Sequence, residues 1–137
     1  MQWSNERSFV RYLLNKLHDE GFKTTRIESG GTSVGIPDIY YVGHGTDGWI
    51  ECKFVKKNVP LILEVPWRPG QQAWMLEYYK GTYQKKRCWT FVGMIDGVVC
   101  VPMDKFYENN DVDLFASFSK IYTHKEFSEL KLREVLL

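Results

Sequence analysis

The sequence predicts an α/β fold in which helices pack on a small sheet, and three patterns carry that expectation. Residues 4–20 place apolar side chains at Phe9, Val10, Leu13, Leu14 and Leu17, the repeat of a helix that buries one face. Apolar runs of strand length follow at Ile39-Tyr40-Tyr41-Val42, Trp49-Ile50-Glu51-Cys52-Lys53, Cys88 to Ile95 and Val98 to Val101. A second helical stretch, from about Pro69 to Lys80, lies between the second and third of these runs. Such an order of elements needs layers of helix and sheet around a shared core.

Each element has local signals. Ser4 is placed to cap the first helix and Gly21 to stop it. A strand over Lys23–Ile27 comes next, then a loop at Ser29-Gly30-Gly31-Thr32-Ser33-Val34-Gly35 that carries no Walker lysine, so it is not a nucleotide-binding loop. Gly43-His44-Gly45-Thr46-Asp47-Gly48 is rich in turn formers, which predicts that the runs on either side pair as an antiparallel hairpin. The proline-bounded stretch 58–67 reads as a short strand or an arm. Pro69 suits the first turn of the second helix and Gly81 its end. Asp96-Gly97 between two apolar runs signals another hairpin. The tail, about 104–137, reads as mixed helix and loop around Phe106, Tyr107, Leu114, Phe115, Phe118, Phe127, Leu130 and Val135. With no repeat, linker or low-complexity segment, one domain over 1–137 is expected.

Composition sets bounds without naming a function. The 137 residues are 44% apolar and include eight Phe, eight Tyr and five Trp, which is ample for a core. No run approaches the length of a membrane span and no signal-peptide pattern is present. Cys52, Cys88 and Cys100 are odd in number and far apart, which argues against a disulfide framework or zinc site and for buried thiols in a reducing, cytoplasmic location (host cytoplasm if phage-encoded). Net charge is only +1, but its distribution is uneven. Arg7, Arg11, Lys16, Lys23, Arg26, Lys53, Lys56 and Lys57 enrich the first half in cations, whereas acids thicken after Asp104. A basic face for phosphate contacts is the implied partner surface. The run Lys85-Lys86-Arg87 by itself reads as a solvated face.

The chemistry is concentrated at Asp38, Glu51 and Lys53. Three charges on two short apolar strands are costly unless they have work to do. Side chains alternate along a strand, so Glu51 and Lys53 share one face while Ile50, Cys52 and Phe54 share the other. Pairing of the two strands brings Asp38 beside Glu51. Two neighbouring carboxylates repel unless a cation sits between them, and a hard divalent ion such as magnesium suits oxygen ligands. An ion there can polarise a phosphoryl oxygen and activate water, with Lys53 to orient the nucleophile or stabilise developing charge.

Pro37-Asp38 followed by Glu51-Cys52-Lys53 resembles the PD-(D/E)xK nuclease signature. Arg26-Ile27-Glu28-Ser29-Gly30-Gly31 ahead of Gly35-Ile36-Pro37-Asp38, and Arg68-Pro69-Gly70-Gln71-Gln72-Ala73-Trp74 after Lys53, are similar to the virus-type replication-repair (VRR-NUC) branch, itself akin to phage Holliday-junction resolvases. The resemblance spans roughly residues 3–95. It implies a restriction-endonuclease-like core, a central mixed sheet of about four to five strands flanked by helices, and a magnesium- or manganese-dependent endodeoxyribonuclease that prefers branched or replication and repair DNA. Asp38, Glu51 and the Cys52 carbonyl would hold the metal, with Glu6 on the first helix completing the set. For Glu6 the alternative is a first-turn acid favoured by the helix dipole. Gln71 matches a glutamine near the active site, its alternative being a surface residue of a first helical turn. Lys56, Lys57, Arg26 and Arg68 would contact DNA phosphates. The family also implies a stand-alone phage-type enzyme and a homodimer.

Two other functions stay open. A sequence-specific restriction-type nuclease would need base readout, for which Asn109-Asn110 and Gln84 to Arg87 are the only hints. A binding module or inhibitor could keep the fold without turnover, against which stands the intact Asp38, Glu51 and Lys53 set. His44 reads as an exposed turn residue and His18 as a helix-terminal one. Trp74 reads as core, and Trp67, beside Arg68 and Pro66, as core or as a base-stacking ring.

Overall fold

The computed structural model describes residues 3–27, 35–59, 65–83, 85–103 and 120–137. The expected loop over 29–34, the arm at 60–64, Gln84, Asn109, Asn110 and the tail up to 119 lie outside the described residues. In chain order the elements are α1 (Glu6–Asp19), β1 (Lys23–Arg26), β2 (Ile39–Gly43), β3 (Thr46–Phe54), α2 (Gln71–Gly81), β4 (Arg87–Gly93), β5 (Gly97–Pro102), β6 (Lys120–Thr123), α3 (His124–Glu129) and α4 (Leu132–Leu136). The strands form one sheet in sequential order β1-β2-β3-β4-β5-β6. Neighbours are antiparallel except β3 and β4, which run parallel because α2 carries the chain across between them. The sheet is therefore mixed and flanked by helices, as expected, but it has six strands rather than four to five.

The extra strand is β6, from a segment expected to be helix and loop. Ile121, Tyr122 and Thr123 favour strands, but the run is only four residues long and its mostly exposed side chains lack period-two burial. The strand forms because the β5 edge has backbone groups that need partners, and Val98 to Cys100 find them opposite Tyr122 to Lys120.

Alternation along β3 to β5 creates two cores. Ile50, Cys52, Trp89, Phe91, Val98 and Cys100 face the side covered by Phe9, Leu13 and Leu17 of α1 and by Phe127 and Leu132 of α3 and α4. Cys88, Val92, Val99 and Val101 face the side of Met75 of α2. All three cysteines are free and buried, and burial pushes the thiol pKa of Cys88 up to about 12. Among the described residues no helix is long and apolar enough to cross a membrane.

Boundaries differ from expectation in instructive ways. Asn5, not Ser4, caps α1: its Oδ1 accepts the Ser8 N–H at 2.7 Å and its own N–H donates to Ser8 Oγ at 3.1 Å. At the other end Gly21 (φ 88°) and Phe22 donate back to His18 and Leu17 carbonyls, a left-handed glycine stop. The β2–β3 turn shrinks to His44 and Gly45, both at positive φ, because backbone pairing continues through the polar Thr46-Asp47-Gly48. His44 is held by the Glu20 carbonyl at 2.6 Å and by the edge of Phe22, at the far end of β2 from Asp38. His18 contacts Thr24 Oγ1 at 2.7 Å. Helix α2 starts at Gln71, two residues after Pro69, with Gly70 at φ 87° as its cap.

The C-terminal helices are clipped to α1 by Glu20. Its Oε1 accepts the Leu132 N–H at the start of α4, and its Oε2 lies 3.4 Å from Lys16 Nζ, which donates to the Ser128 carbonyl at 3.2 Å. Glu20→Ala removes the acceptor and leaves that N–H unsatisfied, a cost of about 1–2 kcal/mol. Urea melts should show that loss, and amide exchange should quicken first at 132–136. Slowed or unchanged exchange there would contradict the clip.

Candidate active site

The site forms where β2 begins. Ile39 pairs with Ile50 in the first β2–β3 register pair, so from Glu51 onward β3 keeps β4 on one edge but has no ladder partner on its β2 edge. Asp38 fills the gap: its Oδ2 accepts the Cys52 N–H at 2.9 Å, and its carbonyl accepts the Ile27 N–H at 2.8 Å. A strand residue directs its N–H and C=O to the same edge. The Cys52 carbonyl therefore faces the same gap as the Asp38 carboxylate.

Glu51 and Lys53 project from β3 toward α2, as alternation predicts, and are only 2% and 5% exposed. Helix α2 brings Gln71 to them from above. Gln71 Oε1 accepts the Arg68 N–H at 2.7 Å, which directs its Nε2 to donate to Glu51 Oε1 at 3.0 Å. Lys53 Nζ lies 3.5 Å from the same oxygen. Glu51 Oε1 is thus held from two sides, whereas Oε2 is buried with no hydrogen-bond partner among the described residues. Burial, and then the Asp38 charge, push the Glu51 carboxyl up to about 8, against the opposing pull of Lys53.

This donor set fits a hard divalent cation. Two neighbouring carboxylates and a carbonyl are all oxygen donors, and a buried orphan oxygen gains most from a metal. The Cys52 thiol takes no part: it lies in the α1-side core, and burial followed by the Asp38 charge hold its pKa well above normal.

Glu6 is less close. It is exposed on the first turn of α1, and its charge and that of Arg26 are both felt at Cys52. Among the described residues no group of three or more His, Cys, Asp or Glu could hold a metal, so Glu6 does not join Asp38 and Glu51 in one side-chain cluster.

The predicted phosphate contacts gather at this end of the sheet. Arg26 is exposed opposite Ile39, and Arg68 is exposed just before α2. Lys56 and Lys57 are exposed just past β3, on a loop tied to the β4–β5 turn by Val55 N–H to Gly93 carbonyl (3.0 Å), Ile95 N–H to Lys57 carbonyl (2.9 Å) and Val59 N–H to Asp96 Oδ1 (2.7 Å). Lys86 lies at the other end, where it donates to Asp47 Oδ2 at 2.8 Å. Trp67 donates to Thr90 Oγ1 at 3.2 Å and packs against the α2-side core, and Trp74 stacks on Tyr78. Thr90, fully buried beside Glu51 in the register, carries no sequence signal, being an isolated threonine in an apolar strand.

No family model matches the chain, and no curated protein matches it. Among solved structures it is similar to Archaeoglobus fulgidus Hjc, a Holliday junction resolvase from an archaeal hyperthermophile. The TM-score is 0.59 at 19% sequence identity, over 96% of this chain and 99% of that one. The likeness is one of fold: a mixed α/β sheet flanked by helices, similar to that of a resolvase nuclease.

Proposed function

We propose that residues 1–137 form one PD-(D/E)xK nuclease domain of VRR-NUC type, a metal-dependent DNA endonuclease that cuts branched DNA. The observation that carries this reading is Glu51: one oxygen is held by Gln71 and Lys53, the other is buried with no hydrogen-bond partner among the described residues, and the Asp38 charge is felt at the carboxyl. A resolvase among its fold neighbours supports branched DNA as the substrate class.

Asp38, Glu51 and the Cys52 carbonyl would hold Mg2+ or Mn2+, with Glu6 reaching it through water. The ion supplies polarisation of a phosphoryl oxygen and a lowered pKa for water. Gln71 fixes the rotamer of Glu51, so Oε2 stays directed at the site. Lys53 offsets the Glu51 charge and orients the attacking water. Arg26, Arg68, Lys56 and Lys57 bind flanking phosphates without reading sequence. A phage-type enzyme, acting in the cytoplasm as a homodimer with two sites for two strands, completes the proposal.

The test is a labelled four-way junction, a matching linear duplex and a single strand, each incubated with Mg2+, Mn2+ or chelator. Junction cutting that needs metal and disappears in Glu51→Ala is expected. Cutting of the duplex at one sequence would favour a restriction-type enzyme. Binding with no cutting under either metal would mean a non-catalytic module.

A further inference from the structure

We propose that Gly35 is a positioning residue, whose bare Cα against the carbonyl that opens α2 sets Gln71 relative to Asp38. Its catalytic consequence rests on the nuclease reading above; the geometric claim does not.

Gly35 is buried at φ 89°. A Cβ there would lie 2.8 Å from the Gly70 carbonyl carbon, closer still to its oxygen, and 3.2 Å from Trp74 Cβ. The Gly70 carbonyl is not free to retreat, because it accepts the Trp74 N–H at 2.9 Å as the first hydrogen bond of α2. Gly70 itself sits at φ 87°, so two left-handed glycines meet back to back.

What leaves this contact on each side is short. On one side the next residue is Gln71, whose amide holds Glu51. On the other, two residues lead to Asp38, Ile36 and the buried Pro37, whose ring fixes φ and lets little displacement relax. A side chain at position 35 must therefore push Gln71 or Asp38. A misplacement of about 1 Å can lower turnover about 10²-fold.

Gly35→Ala tests this against Gly43→Ala. The control injures packing similarly, since its Cβ would meet Phe22 Cδ1 at 2.7 Å, but at the far end of β2. The first readout is solvent exchange of the Gln71 side-chain amide by NMR, which needs neither metal nor substrate. In wild type and Gly43→Ala this amide should be protected. In Gly35→Ala it should exchange at least about tenfold faster, as for a group released to local opening. Junction turnover should drop about 10²-fold, with the Kd for DNA in chelator unchanged.

Should Gly35→Ala not fold, Gly70→Ala strains the same carbonyl at positive φ and must release Gln71 in the same way. Protection that survives in whichever of these variants folds would overturn the proposal. A wild type inert to metal and DNA, with Gln71 released by Gly35→Ala, would sink the nuclease reading and leave the positioning role standing.

Discussion

Glu51→Gln should abolish cleavage and at the same time stabilise the metal-free protein at pH 8. The first effect follows from the proposed role of Glu51 as a metal ligand and is expected to exceed about 10³-fold, or roughly 4 kcal/mol of barrier. The second follows from the raised Glu51 pKa. Folding lifts it from 4.5 to about 8, so between those pH values the folded chain binds a proton that the unfolded chain has released. Stability due to this group is full below pH 4.5 and is lost as pH rises toward 8, at up to about 1.4 kcal/mol per pH unit. Glutamine keeps the shape and the Gln71 contact without the charge. Melts in chelator from pH 5 to 8.5 should thus fall for wild type and flatten for Glu51→Gln. Parallel curves would contradict this account of the buried carboxylate.

Lys53→Met should also cost about 10²–10³-fold in turnover, but with the opposite effect on stability. Lys53 is the cation that offsets Glu51, 3.5 Å from its Oε1, and removing one partner of a buried pair leaves the other uncompensated. Without that pull the Glu51 pKa moves above 8, so the window of falling stability extends to higher pH. At pH 5 Glu51 is protonated in the fold and the substitution should matter less. A double-mutant cycle with Glu51→Gln should give a coupling of about 1–3 kcal/mol at pH 8 and much less at pH 5. Equal coupling at both would mean that packing, not charge, links the two residues.

The β3 face was legible because alternation is geometric: Trp49-Ile50-Glu51-Cys52-Lys53-Phe54 has one reading as a strand, and Glu51 and Lys53 fall on one side of it. Gln71 is legible from the motif, and its hydrogen bond to Glu51 follows from its place as the first residue of α2 after the Gly70 cap. Other features depend on tertiary context. Strand β6 exists because β5 needs a partner, and the short β-prone run Ile121-Tyr122-Thr123, without alternating burial, does not record that pairing. The cap moved from Ser4 to Asn5 because Ser8 can answer it reciprocally, a three-residue relation that a search for a glutamate or glutamine misses. His44 reads from sequence as an exposed turn residue because its partners, Glu20 and Phe22, lie outside the β2–β3 hairpin. Gly35 stood out as part of a motif, yet its contact with Gly70 across more than thirty residues is a matter of packing alone. Glu6 is marked by resemblance alone, and it is exposed on α1, outside any cluster of three or more His, Cys, Asp or Glu among the described residues.

The most direct measurement is a calorimetric titration of the protein with Mn2+ at pH 7, repeated in buffers of different ionisation heat and with Asp38→Asn. A cation seated between Asp38 and Glu51 must displace the proton that Glu51 holds at that pH. Saturable binding, with proton release visible as buffer-dependent heat and both lost in Asp38→Asn, is the predicted result. No binding across the millimolar range, or binding that Asp38→Asn leaves intact, would contradict a metal site at this carboxylate pair.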